Sequence, residues 1–232
     1  MEASSDASEN PQLHLNPERL AMNRPLLIRS LLTCLIAALA SVPALADIAH
    51  GFDTDAQGWS VVNGGALIYK AAGGNPGGYL EITDTTGDDF LLLAPATWLG
   101  DGSAYLNGTF SFDAKNVNGD SPDWGPFGTV TISGPGGSVS LDIAADNQPG
   151  NDGQWHHYSS TLSTALWGAS LPAVLANVTE ITLKGEFHAG VTEVLGVDSI
   201  VVSQVPEPAS AALMMIGMLG VVGVLRHGSR SN

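Results

Sequence analysis

Carboxylates and a few aromatic rings are the residues with which this chain could do chemistry. Asp53 and Asp55 lie in Gly51-Phe52-Asp53-Thr54-Asp55-Ala56-Gln57-Gly58-Trp59, and in an extended segment a spacing of two turns both side chains to the same side. Carboxylates so paired, with backbone carbonyls beside them, suit a hard cation such as calcium, which takes oxygen ligands; the plainer reading is a solvated turn. Trp124 stands in Asp120-Ser121-Pro122-Asp123-Trp124-Gly125-Pro126-Phe127, a turn-rich stretch in which a large ring is hard to enclose. With Asp120 and Asp123 beside it, the ring could stack on a sugar while the carboxylates take its hydroxyls. Its alternative is a loop anchor folded onto the domain, because Trp is usually well buried. Asp84, Asp88 and Asp89 form a weaker acidic cluster, read as loop solvation.

Catalytic patterns are scarce. The sequence has no Gly-x-Ser-x-Gly elbow, no His-Glu-x-x-His and no phosphate loop. Glu180 and Glu186 share a strand face if their segment is one strand, but six residues of strand set them about 20 Å apart, beyond the roughly 5–9.5 Å of a glycosidase pair. Carboxylates from different strands could still converge. His156 and His157 are adjacent, so on a regular strand they face opposite ways, and His50 and His188 lie at no metal-ligand spacing from them. Cys34 is the only cysteine, and it falls in an apolar run near the start.

The elements that must position these residues read as short strands. Trp59 to Val62, Ala66 to Ala71, Tyr79 to Thr83, Phe90 to Ala94, Tyr105 to Asp113, Thr129 to Ser133, Ser138 to Ile143, Trp155 to Leu162, Thr179 to Phe187 and Val197 to Val202 are alternating or apolar runs. Turn residues such as Gly73-Gly74-Asn75-Pro76-Gly77-Gly78 and Gly134-Pro135-Gly136-Gly137 separate them. Ten such strands predict an all-β fold, an antiparallel jelly-roll sandwich over residues 47–203. Alternation puts Ile181, Leu183, Gly185 and Phe187 in the core and Thr182, Lys184, Glu186 and His188 on the other face. Ser170 is placed to cap one short helix running to Asn177. Every aromatic residue falls in this segment, which marks it as the folded unit. Over the whole chain 23 Asp and Glu face 8 Lys and Arg, a net charge of −15; such a surface has no basic patch for phosphates and excludes nucleic acid as a partner.

The flanks are of another kind. Residues 1–21 are polar and aperiodic, a disordered or mis-assigned start. From Met22, a basic stretch with Arg24 and Arg29, an apolar run from Ser30 to Ala40 and Ala44-Leu45-Ala46 make residues 22–46 a signal peptide cut after Ala46. That predicts the Sec translocon and signal peptidase as partners and a mature chain without cysteine. At the other end, Val205-Pro206-Glu207-Pro208 precedes an uncharged apolar run over residues 209–225, followed by Arg226 and Arg230. Such a run forms a single transmembrane helix of about 25 Å, with the basic flank on the cytoplasmic side. The order of tripeptide, span and basic end over residues 204–232 resembles the PEP-CTERM sorting signal of Gram-negative bacteria. That resemblance implies recognition by an exosortase, a transient stay in the inner membrane, and delivery to the cell surface or beyond.

A second resemblance covers residues 52–202. Gly74-Asn75-Pro76-Gly77-Gly78-Tyr79-Leu80, Leu93-Ala94-Pro95-Ala96 with Trp98-Leu99-Gly100-Asp101, and Val174 through Lys184-Gly185-Glu186 to Val197-Asp198 are similar to the laminin B (laminin IV type A) domain. It implies a jelly-roll module of extracellular proteins, related in fold to carbohydrate-binding modules and without catalytic activity. Those modules often hold a structural calcium between the first strand and an acidic residue on the last, which would add Asp198 to Asp53 and Asp55. The expectation is therefore a non-enzymatic, exported surface or matrix protein that associates with extracellular polysaccharide or with other surface proteins. A dedicated carbohydrate-binding module is its first rival, and a polysaccharide hydrolase its second.

Overall fold

A computed structural model describes residues 46–145 and 148–205. The signal peptide, Pro206, Glu207, Pro208, the apolar run 209–225, Arg226 and Arg230 lie outside the described residues. Among the described residues no helix is long and apolar enough to cross a membrane.

Two antiparallel sheets face each other. The strands are β1 (Ile48–His50), β2 (Ser60–Val62), β3 (Gly65–Lys70), β4 (Tyr79–Asp84), β5 (Leu91–Leu93), β6 (Thr109–Asn116), β7 (Thr129–Gly134), β8 (Gly137–Asp142), β9 (His156–Thr161), β10 (Glu180–Lys184) and β11 (Val194–Ser203). One sheet runs β3-β4-β11-β6-β9, with β1 also on β11; the other runs β2-β5-β10-β7-β8. Period-two alternation drives the assembly: Leu80, Ile82, Phe110, Phe112, Leu195 and Val197 of the first sheet meet Leu92, Val130, Ile132 and Leu183 of the second, all no more than 2 % exposed. Two short helices, α1 (Thr164–Trp167) and α2 (Leu171–Leu175), bring Trp167, Leu171, Val174 and Leu175 to the same core. Ser170 precedes α2 as expected, but its side chain makes no capping bond.

Strand β11 organises the larger sheet. Its first half pairs with β4 and its second half with β1, and a register shift against β6 between Asp198 and Val201 separates the two halves. Pairing of β1 with β11 brings both ends of the domain to one edge. There the Gln204 N–H donates to Asp47 Oδ1 at 3.1 Å, and the Tyr105 hydroxyl donates to the Ala46 carbonyl at 3.0 Å. The expected cleavage point after Ala46 and the exit of the C-terminal tail are thus neighbours.

Two expectations need correction. The run Thr179 to Phe187 is not one strand: β10 stops at Lys184, and Glu186 belongs to the connection beyond it. Nor is its second face solvated, because Thr182, Lys184 and Glu186 are all buried along with Ile181, Leu183 and Phe187. Strand β10 is central, between β5 and β7, and neighbours close over both its faces; the Lys184 ammonium, for example, is covered by Asp89 at 2.8 Å.

Candidate functional site

Asp198 sits where β11 shifts register, and its carboxylate is completely buried. Both of its oxygens are in use: one accepts the Asn75 backbone N–H, the other its neighbour Ser199 N–H at 2.6 Å. Asn75 belongs to the glycine-rich loop between β3 and β4, which that bond pulls onto the sheet. Its side chain donates to Asp113 Oδ2 at 3.0 Å, and the other Asp113 oxygen meets His157 Nδ1 at 2.6 Å. Glycine is required where the loop closes in. A Cβ on Gly74 would stand 2.7 Å from Asp198 Oδ2, and one on Gly77, which has φ +85°, 2.4 Å from Asp53 Oδ1. Burial raises the Asp198 pKa, and the Asp113 and Asp53 carboxylates push the same way against the two backbone donors.

Asp53 and Asp198, 145 residues apart in the chain, therefore border one loop. Backbone oxygens stand at the same loop: a Cβ on Gly78 would lie 2.3 Å from the Phe52 carbonyl and 2.7 Å from that of Lys70. Asp55 is not of the group. The segment is not extended, for Phe52 has φ 50° and bends follow it, and Asp55 is spent on its own turn, accepting the Gln57 N–H at 2.7 Å.

On the outer face of this sheet Gly196 leaves room for two rings. Tyr79 and Trp155 meet edge-to-face at 5.5 Å, and the Lys115 ammonium lies 4.9 Å and 4.7 Å from their centres. The Trp155 indole donates to the Gly73 carbonyl at 3.1 Å, which fastens the start of the glycine loop. The cluster is closed on itself: Tyr79 is buried, and its hydroxyl donates to Glu81, which pairs with Lys70 at 3.1 Å.

Trp124 is 47 % exposed, the largest aromatic surface on the domain. Its ring is nevertheless held. The indole N–H donates to Asp89 Oδ1 at 2.9 Å while the backbone N–H donates to the Phe187 carbonyl at 3.0 Å. The flanking aspartates behave otherwise than expected. Asp120 accepts from the Thr192 hydroxyl at 2.7 Å and from Asn118, and Asp123 accepts from the Ala189 N–H at 2.9 Å. They tie the loop down, so the polar group beside the ring is Asp89, which sequence reading left among the solvated aspartates.

Among the described residues the histidines do not gather. His50 takes the indole N–H of Trp59, His156 meets Asp152 at 3.1 Å, His157 meets Asp113, and His188 meets both the Ser121 carbonyl and Asp123 at 2.9 Å. The Ser121 carbonyl first, then Asp123 and Asp120, hold His188 above its ordinary value.

Comparison with known proteins places these features. The family model of the PEP-CTERM protein-sorting motif matches residues 204–230. No curated protein matches the chain. In structure the domain is similar to the L4b domain of human laminin alpha-2, with a TM-score of 0.51 at 11 % identity over 69 % of this chain and 99 % of that one. A family 11 carbohydrate-binding module from Clostridium thermocellum, solved with a beta-1,3-1,4-mixed-linked tetrasaccharide, gives 0.44 at 15 % identity over 71 % and 99 %. The first likeness shows the fold, a jelly-roll-like sandwich. The chain thus carries a PEP-CTERM sorting motif, the mark of an exported protein that an exosortase sorts to the cell surface, behind a sandwich folded like laminin L4b.

Proposed function

We propose that this protein is a non-enzymatic surface component whose sandwich associates with extracellular polysaccharide, with the Trp124 ring as the platform on which a sugar stacks. The observation that carries the reading is the combination at Trp124: nearly half the indole is exposed, yet Asp89 and the Phe187 carbonyl fix its position. A ring held in place before binding loses little conformational freedom when a sugar arrives. Two further features support it. The carboxylates that converge across strands, Asp84, Glu186 and Glu193, are buried at 2 %, 3 % and 0 % exposure, out of reach of a polymer, which favours binding over hydrolysis. The exit of the tail beside Asp47 lets the domain be carried by its C-terminus through the inner membrane after Sec export and signal-peptide removal. A calcium ion held by Asp53 and Asp198 with the Phe52 and Lys70 carbonyls belongs to the same reading as a brace for the glycine loop.

Affinity electrophoresis in gels containing the exopolysaccharide of the producing cell tests it. The chain should be retarded, and Trp124→Ala should lower the affinity by about tenfold or more, since about 1.4 kcal/mol is tenfold and a central aromatic contact exceeds that. Retardation of the variant equal to the parent would remove Trp124 from the function. Release of reducing sugar by the parent would return the chain to the hydrolases.

A further inference from the structure

Asp84, Glu186 and Glu193 lie far apart in sequence and meet at one end of the sandwich. Asp84 ends β4 and Glu193 directly precedes β11, both in the six-stranded sheet, whereas Glu186 follows β10 of the five-stranded one. One carboxylate oxygen from each lies within 4.8 Å of the other two. All three side chains are more than nine-tenths buried, and each has an oxygen without any hydrogen-bond partner: Asp84 Oδ2, Glu186 Oε2 and Glu193 Oε2.

The oxygens opposite are anchored. Asp84 Oδ1 accepts the Thr86 N–H at 3.1 Å, Glu193 Oε1 accepts the N–H groups of Phe187 at 3.1 Å and His188 at 3.4 Å, and the Phe90 N–H favours the ionised form of Glu186. Asp84 and Glu193 are thus gripped by backbone on one side, and each of the three carboxylates has a bare oxygen. Nearby charges offset the three only in part, through His188 acting on Glu193. Lys184 is engaged with Asp89 at 2.8 Å, Asp89 adds to the repulsion on Glu186, and His188 is engaged with Ser121 and Asp123. A buried unpaired carboxylate is costly, and three together more so.

From this geometry we infer that Asp84, Glu186 and Glu193 form a site for a hard divalent cation, calcium, that staples the two sheets together at the end where β4, β10 and β11 meet. Three oxygens no more than 4.8 Å apart share a point at most about 2.8 Å from each, which a small inward shift brings into the 2.3–2.6 Å range of calcium–oxygen bonds and which magnesium, at about 2.1 Å, would need a larger collapse to reach. The ligands are all oxygen, as a hard cation prefers, and a doubly charged ion offsets most of the charge that the fold encloses. This site is separate from the Asp53 and Asp198 loop and stands without it.

The test uses the full chain, stripped with a chelator and returned to calcium alone, with bound ions counted per chain. Glu186→Gln/Glu193→Gln should bind one ion fewer than the parent, whereas Asp198→Asn should leave that ion in place. A crossing of stabilities should accompany the loss. Without calcium Glu186→Gln relieves repulsion and melts higher than the parent; with calcium it melts lower, which no merely structural role would produce. Should the double variant fail to fold, the single variant Asp84→Asn gives the same two readouts. A parent that binds no calcium, a double variant that binds as much as the parent, or a Glu186→Gln variant that melts lower in both conditions would overturn the assignment.

Discussion

Replacing His50 by Phe keeps a ring of similar size on β1 but removes the nitrogen that accepts the Trp59 indole N–H at 2.9 Å. Trp59 and Trp98 are each only 4 % exposed and stand edge-to-face at 5.3 Å, so no water replaces the lost acceptor. One buried donor left unpaired costs about 1–3 kcal/mol. The Trp98 N–H, 3.3 Å from both imidazole nitrogens, makes a poorer bond and adds little. In a domain of this size about 1 kcal/mol moves Tm by about 2–4 °C, so Tm should fall by about 2–12 °C. The neutral ring alone makes this bond, because a protonated Nδ1 would confront the indole with a second donor. Burial holds the pKa of His50 below 6.5, with Asp55 pulling only partly the other way. The stability contributed by neutral His50 is therefore complete above 6.5 and lost as pH falls through the lower folded value. Thermal unfolding followed between about pH 8 and about pH 5 should show this slope in the parent and its absence in His50→Phe. Equal melting temperatures at the upper pH, or parallel curves in both chains, would refute the reasoning.

Glu186 predicts a pH dependence of opposite sign. Burial first, then Glu193 and Asp84, push its pKa from 4.5 up to about 8 in the calcium-free protein, so its contribution is complete below 4.5 and lost as pH rises through about 8; calcium should flatten that slope in a melting series. In the tail, Glu207→Ala should leave the PEP-CTERM segment attached and the chain in the membrane fraction on immunoblots, and unchanged processing would show that the Pro-Glu-Pro carboxylate is not read.

Much of the fold was legible because apolar residues recur along the strands and glycine turns divide them. β1, Ile48–His50, was not: it lacks the apolar run that marked the equally short β2 and β5 as Trp59 to Val62 and Phe90 to Ala94. The turn-rich prolines and glycines around Trp124 left its ring open between a sugar platform and a buried anchor, and the structure leaves it 47 % exposed. Asp198 and Asp53 border the same glycine loop, whereas Asp55 closes its own turn, since pairing Asp53 with Asp55 assumed extended backbone where Phe52 takes a left-handed conformation. The buried acidic trio was invisible for a related reason. Asp84 ends one strand, Glu186 follows another and Glu193 precedes a third, and alternation places residues only within an element. A rule that sends Glu186 to solvent fails when the strand stops two residues earlier and the connection turns inward. The signal in the sequence was composition, three acids at element ends, and only tertiary contact tells such a trio from solvated loops.

The backbone of Phe187 joins the two sites. Its N–H donates to Glu193 Oε1, and its carbonyl receives the N–H groups of Asp123 and Trp124 at 3.1 Å and 3.0 Å. Two residues on, the Ala189 N–H donates to Asp123, while Asp89, which fixes the indole, is itself paired with Lys184 at the end of β10. The hydrogen bonds to the Trp124 indole and backbone N–H therefore come from segments flanking the three buried acids, while Gln148 holds its carbonyl from another loop at 3.1 Å. Repulsion among those acids acts on residues 186–193 directly, and an ion that removes it fixes the same stretch of chain. The exposed ring and the enclosed carboxylates are in this sense one construction: the acids set the course of the connection between β10 and β11, and that connection sets the platform.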